Sequence, residues 1–173
     1  LIYSPVKASV IVVNSNASTI VKDGLCTINE AMKNADWGID TTDGDCAPGS
    51  DGLDIISFDP SLSGDTITLS SELFIATDLT IDGSELTIPV TISGNNTVRV
   101  LNIIGGTVTL DSLIITNGKS INHHGGGISI NEGSTLTIIN STISGNTAPW
   151  GGGIFNGGTL TMTGCSLSEN IAS

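Results

Sequence analysis

Thr107-Val-Thr-Leu-Asp-Ser-Leu-Ile-Ile-Thr-Asn-Gly118, Thr135-Leu-Thr-Ile-Ile-Asn-Ser-Thr-Ile-Ser-Gly-Asn146 and Thr159-Leu-Thr-Met-Thr-Gly-Cys-Ser-Leu-Ser-Glu-Asn170 are three versions of one phrase. Their starts lie 28 residues apart (135 minus 107) and then 24 (159 minus 135). Gly125-Gly-Gly-Ile128 and Gly151-Gly-Gly-Ile154 punctuate the gaps. Self-similarity at such a period marks a repeat architecture. Within each copy small polar residues alternate with aliphatic ones, the pattern of a strand with one buried face. The inward set is Val108, Leu110, Leu113 and Ile115, then Leu136, Ile138 and Ile143, then Leu160, Met162 and Leu167. A unit of this size closes no core alone, but stacked units pair strand on strand and pile the aliphatic side chains into one column. The expected fold is all-β, a right-handed parallel β-helix, with Lys119–His124 as a loop inserted into one coil.

Composition agrees. The chain has 22 Gly and only 3% aromatic residues, and it lacks a helical 3.6-residue pattern. A β-sandwich also has many short strands, but not near-identical copies with a fixed Gly-Gly-Gly-Ile. With 17 acidic and 5 basic residues the net charge is −12, which argues against a nucleic-acid partner because phosphate binding needs clustered Lys and Arg. No run reaches membrane-spanning length. The 173 residues divide as 1–8, 9–54 and 55–173. The first segment is either the remnant of a secretory signal, with Val6-x-Ala8 as its cleavage site, or an extended N-terminal arm.

The second segment reads as a cap. Ser9–Asn14 is a short strand and Asn16–Gly24 a turn-rich hairpin or loop. Thr27-Ile-Asn-Glu30 has the form of a helix capping box. Ile28, Ala31, Met32 and Ala35 then share one face of a short helix ending near Trp37-Gly38, placed to cover the open end of the column. Cys26 and Cys46 are the obvious disulfide pair, as expected in an oxidising compartment. Cys165 remains over, either a small hydrophobe in the column or an intermolecular thiol. Asp40, Asp43, Asp45, Asp51 and Asp54 crowd one loop, and such oxygens suit Ca²⁺ as candidate cofactor. Their spacing matches no EF-hand, and a solvated acidic loop is the simpler reading.

The solenoid is expected to open at Ile55–Phe58 and to run for about four coils plus a partial rung, with a step of about 21 residues from Asp65. Asp23-Gly-Leu-Cys-Thr-Ile-Asn-Glu-Ala31 resembles the Cys-Ser-Leu-Arg-Glu-Ala motif of the CSLREA domain. Cys26, Glu30 and Ala31 match, Thr27 and Ile28 are conservative, and Asn29 departs at the Arg position. The Gly-Gly-Gly-Ile-x-Asn and Ser-Thr-Ile-Ser-Gly-Asn phrases are similar to the β-helix repeats that follow that domain and to those of polymorphic outer-membrane proteins. The resemblance implies an extracellular or cell-surface protein, often part of a large adhesin, and supplies no catalytic residue.

The strongest enzymatic alternative is a polysaccharide lyase or hydrolase. A lyase needs a basic residue, yet of Lys7, Lys22, Lys33, Arg99 and Lys119 only the last two fall in the solenoid. A hydrolase needs paired carboxylates. Asp78, Asp82, Glu85 and Asp111 are scattered, although Asp82 and Asp111 can approach on adjacent corners. Adjacent His123 and His124 point apart in most backbones and make a poor metal site. Trp150 and Trp37 each suit stacking on a sugar, Trp37 more naturally packing under the cap. No catalytic residue is therefore assigned, and extracellular glycans stand as candidate partners. A further alternative is an ice-binding surface with Thr66, Glu85, Thr107, Thr135 and Thr159 in one outward row and Thr68, Thr87, Thr109, Thr137 and Thr161 in the next. The structural reading leads. Met162 and Leu167 sit on a last rung without a cap, an edge open to other copies stacked head to tail, end to end, in a filament, or to the rest of an adhesin. The arm Leu1, Ile2 and Tyr3 is placed to add to a neighbour's sheet. Asn16, Asn95 and Asn140 lie in glycosylation sequons.

Overall fold

A computed structural model describes residues 8–173. Leu1, Ile2 and Tyr3 lie outside the described residues, as does all but the last residue of the Val6-x-Ala8 signal. The chain is a parallel β-solenoid of about four turns with one helix near its N-terminus. Each coil contributes a strand to three faces in turn. The first face stacks Ser9–Val13, Asp54–Phe58, Leu79–Asp82, Thr107–Asp111, Thr135–Ile139 and Thr159–Thr163, all parallel. The second stacks Thr66–Thr68, Thr91–Ser93, Ile114–Thr116, Thr142–Ser144 and Ser166–Ser168. The third stacks Leu73–Ile75, Leu101–Ile103, Ile128–Ile130 and Ile154–Asn156.

Register turns alternation into a column. On the first face Ile11, Ile56, Ile81, Leu110, Ile138 and Met162 are successive Cα partners. On the second the series is Ile67, Ile92, Ile115, Ile143 and Leu167. All but the uppermost members are fully buried, and each such aliphatic side chain stabilises the fold by about 1.5–3 kcal/mol relative to exposure. Burial fails at the top: Ile143 is 0% exposed but Leu167 is 52%.

The coil step is not 21 residues. It is 25 from Asp54 to Leu79, 29 from Leu79 to Val108, 28 from Thr107 to Thr135 and 24 from Thr135 to Thr159. Three strands and three corners need the longer step. The N-terminal strand Ser9–Val13 is itself the lowest rung of the first face, paired with Asp54–Phe58, so no hairpin forms there.

The helix, Ile28–Trp37, follows from its ends and its face. Thr27 and Glu30 form the reciprocal capping box, and Gly38 closes the other end in the left-handed region at φ 64°. Glu30 also accepts from the Val21 amide at 2.9 Å, tying down the preceding loop. Ile28, Ala31, Met32 and Ala35 are buried in the same core as the column, and the helix packs on the lowest strands of the first and third faces. Trp37 does not pack under it. It is 62% exposed, with the Lys33 ammonium 5.9 Å from its ring centroid. Nine positions after Ile28, at about 100° per residue, it falls on the opposite side of the helix.

Candidate functional site

Corners carry the polar groups that the faces cannot. Asn146 is wholly buried. Its Oδ1 accepts from the Gly118 amide at 2.7 Å, and its Nδ2 donates to Ile115 O at 3.2 Å and to Asn170 Oδ1 at 2.9 Å. Asn170 repeats the pattern one rung on, donating to Ile143 O at 2.8 Å. These are the last residues of the second and third copies of the phrase; Gly118 holds the place in the first. The glycine triplets pack against this ladder. A Cβ on Gly126 would lie 2.5 Å from Thr147 O, and one on Gly127 would lie 2.6 Å from Gly153 O. The Asn ladder escaped the sequence reading, although the Asn at the end of each later copy was its visible signal.

Cys26 and Cys46 are disulfide-bonded. Cys165 is half-buried against the core, its Sγ 3.3 Å from Ile138 O.

Four of the five candidate Ca²⁺ ligands, Asp40, Asp43, Asp45 and Asp54, are each engaged by a different partner. Asp40 accepts from the backbone and hydroxyl of Thr42, which hold its carboxyl below the ordinary range. Asp43 pairs with Lys22, raising the lysine. Asp45 accepts from the Asp23 and Gly24 amides, and Asp54 from the Ser50 amide and hydroxyl. Asp51 lines a pocket of about 370 Å³ beside Trp37, with Asp36 and Asp78. Among the described residues no three His, Cys, Asp or Glu side chains gather as metal ligands do.

The expected threonine rows are in part misplaced. Thr107, Thr135 and Thr159 do align, as do Thr109, Thr137 and Thr161, which Thr80 extends by one rung. Thr66 and Thr68 belong to the second face, beside Thr91 and Ser93, and Glu85 and Thr87 lie outside the strands. The rows are therefore three and four residues deep, not five. Asp82 and Asp111 are Cα partners on adjacent strands. Their carboxylates turn to the Ser84 amide and the Ser112 hydroxyl, and neither lines a described pocket. Asn16, Asn95 and Asn140 are all exposed.

The larger pocket, about 670 Å³, lies beside the third face under the loop Lys119–His124. Its floor includes Asn102 and Ser129, neighbours in one outward row. Arg99, whose side chain is only 9% exposed, pairs with Glu72 at 3.1 Å and donates from Nε to Gly125 O at 2.9 Å. Asn102 reaches the other Glu72 oxygen at 3.4 Å. Lys119, His123 and His124 complete the wall. The His124 ring stacks on Phe155 at 4.1 Å and meets Trp150 edge-on at 4.9 Å. Trp150 thus holds the loop as well as facing solvent.

Comparison with protein-family models, curated proteins and solved structures gives no match. The three residues that match the CSLREA motif all have structural work: Cys26 in the disulfide, Glu30 in the cap and Ala31 in the core.

Proposed function

We propose that this chain is a structural rod of the extracellular or surface type, covered at one end by its helix and able to associate through the strand edges of its uppermost described coil. One observation carries the reading. The hydrophobic column is sealed beneath the helix, whereas Met162 and Leu167 at the top are left partly or largely in water. The strands Thr159–Thr163 and Ser166–Ser168 are the outermost of their faces, and open parallel edges are templates for pairing. The disulfide supports an oxidising compartment, and among the described residues no helix is long and apolar enough to cross a membrane.

Such edges can pair with further coils, as in an adhesin, or with a second copy. For two copies, the helix-covered end is a poor acceptor, so the geometry favours open end against open end. That contact is isologous and closes, in contrast to a head-to-tail filament. Sedimentation velocity over a hundredfold range of concentration tests it. Association that Leu167→Lys abolishes supports the reading; a monomer at every concentration overturns the self-assembly half.

A further inference from the structure

We propose that the pocket under Lys119–His124 binds a carboxylate-bearing sugar, a uronate unit of an anionic polysaccharide. This does not rest on the assembly reading, since the pocket lies on the flank of the rod and not on its open end.

Charge is the first argument. The protein carries a net −12, yet the two basic residues of the solenoid, Arg99 and Lys119, line this one pocket with both histidines of the chain. Glu72 is its single carboxylate, and it is already engaged by Arg99 and Asn102. The sign of the charge is reversed locally on an acidic molecule, which attracts an anion to this spot and repels it elsewhere. The Arg99 fork is held in place by Gly125 O and Glu72, while its Nη2 makes no hydrogen bond among the described residues. Lys119 pairs with no carboxylate among them either. A fixed guanidinium and a free ammonium lining one pocket suit a carboxylate.

Shape and lining are the second argument. A volume of about 670 Å³ is large for a lone inorganic anion and falls in the small-ligand range of about 300–1,000 Å³. Asn102, Ser129 and Asn131 offer amide and hydroxyl groups that match sugar hydroxyls. His124, the aromatic ring of the lining, is held in place by stacking on Phe155 and by Trp150 at its edge, and it offers a ring edge to a pyranose.

The test is calorimetric titration of the intact chain with tetramers of galacturonate, glucuronate and mannuronate. The carboxyl-reduced galacturonate tetramer, inorganic phosphate and poly-glutamate serve as comparators. At least one uronate is expected to bind, with the neutral tetramer about tenfold weaker or worse, as for loss of a charge-assisted contact. Lys119 is exposed, so Lys119→Ala should melt as the parent does while binding the uronate about tenfold more weakly. His123→Ala gives a second exposed position with the same expectation of unchanged melting and weaker binding. The proposal is overturned if no uronate binds at millimolar concentration, or if the neutral tetramer binds equally well. It is also overturned if phosphate or poly-glutamate binds as tightly as the best uronate, or if both folded variants keep the parent affinity.

Discussion

Asn146→Ala isolates the corner ladder from the hydrophobic column. The side chain is fully buried and makes three hydrogen bonds, to the Gly118 amide, Ile115 O and Asn170 Oδ1. At about 1 kcal/mol net for each bond, their loss costs about 3 kcal/mol. The Gly118 amide, buried beneath it, then has no side-chain partner, and an orphaned buried donor alone costs about 1–3 kcal/mol. Asn170→Ala is the internal control. It also removes three bonds, but at a half-buried rung, so the expected loss is smaller, about 1–2 kcal/mol. Urea denaturation followed by circular dichroism measures both. A loss under about 1 kcal/mol for Asn146→Ala, or a larger loss for Asn170→Ala, would refute the claim that buried amides close the corners.

Gly126→Ala places a methyl group about 2.5 Å from Thr147 O and should prevent the native coil from closing, seen as loss of folded protein or a melting point many degrees lower. Reduction, or Cys26→Ser with Cys46→Ser, opens a crosslink spanning 20 residues, and a chain-entropy estimate makes the loss about 3 kcal/mol in the same denaturation assay. Glu169→Gly relieves a non-glycine residue at φ 55° and should stabilise by up to about 1 kcal/mol. Asp40 and Asp59 are held below the ordinary carboxylate range, by Thr42 and by the Ser61 hydroxyl and amide respectively. Each binds its proton less readily folded than unfolded. Its contribution is therefore complete above the unfolded value and is lost as pH falls through the folded one. Carbon-detected NMR titration should place both midpoints below those of the unfolded chain.

Alternation of Thr with Leu, Ile or Val tells which side chains go inward, and it found the column at Leu110, Ile138 and Met162. It is silent on which face a strand joins. Thr66-Ile-Thr68 and Thr107-Val-Thr109 read alike, yet they lie on different faces. The difference is made by corners, where non-glycine residues such as Ser112, Asn117 and Asn140 adopt positive φ. Asn tolerates that region better than most residues, but Asn is common throughout this chain, so it marks the turn less sharply than a glycine would. Hence the coil step came out short and the threonine rows too deep. The cap was legible because its signals are local: Thr27 to Glu30, an apolar face, and Gly38. The pocket was not, because Glu72 and Arg99 are 27 residues apart and meet only once the true coil step is known. The sequence shows that Arg99 and Lys119 are the two basic residues of the solenoid, but not that they line one pocket.

The central claim is that successive copies of the phrase sit directly above one another. Methyl–methyl NOE spectroscopy tests it most directly, since partners on adjacent parallel strands are about 4.8 Å apart between backbones. Cross-peaks are predicted for Ile81 with Leu110, Leu110 with Ile138, and Ile138 with Met162. Weak or absent contact is predicted between Leu110 and Met162, two rungs apart. Strong Leu110–Met162 contact, or absence of the Leu110–Ile138 and Ile138–Met162 peaks in a folded sample, would contradict the stacked column.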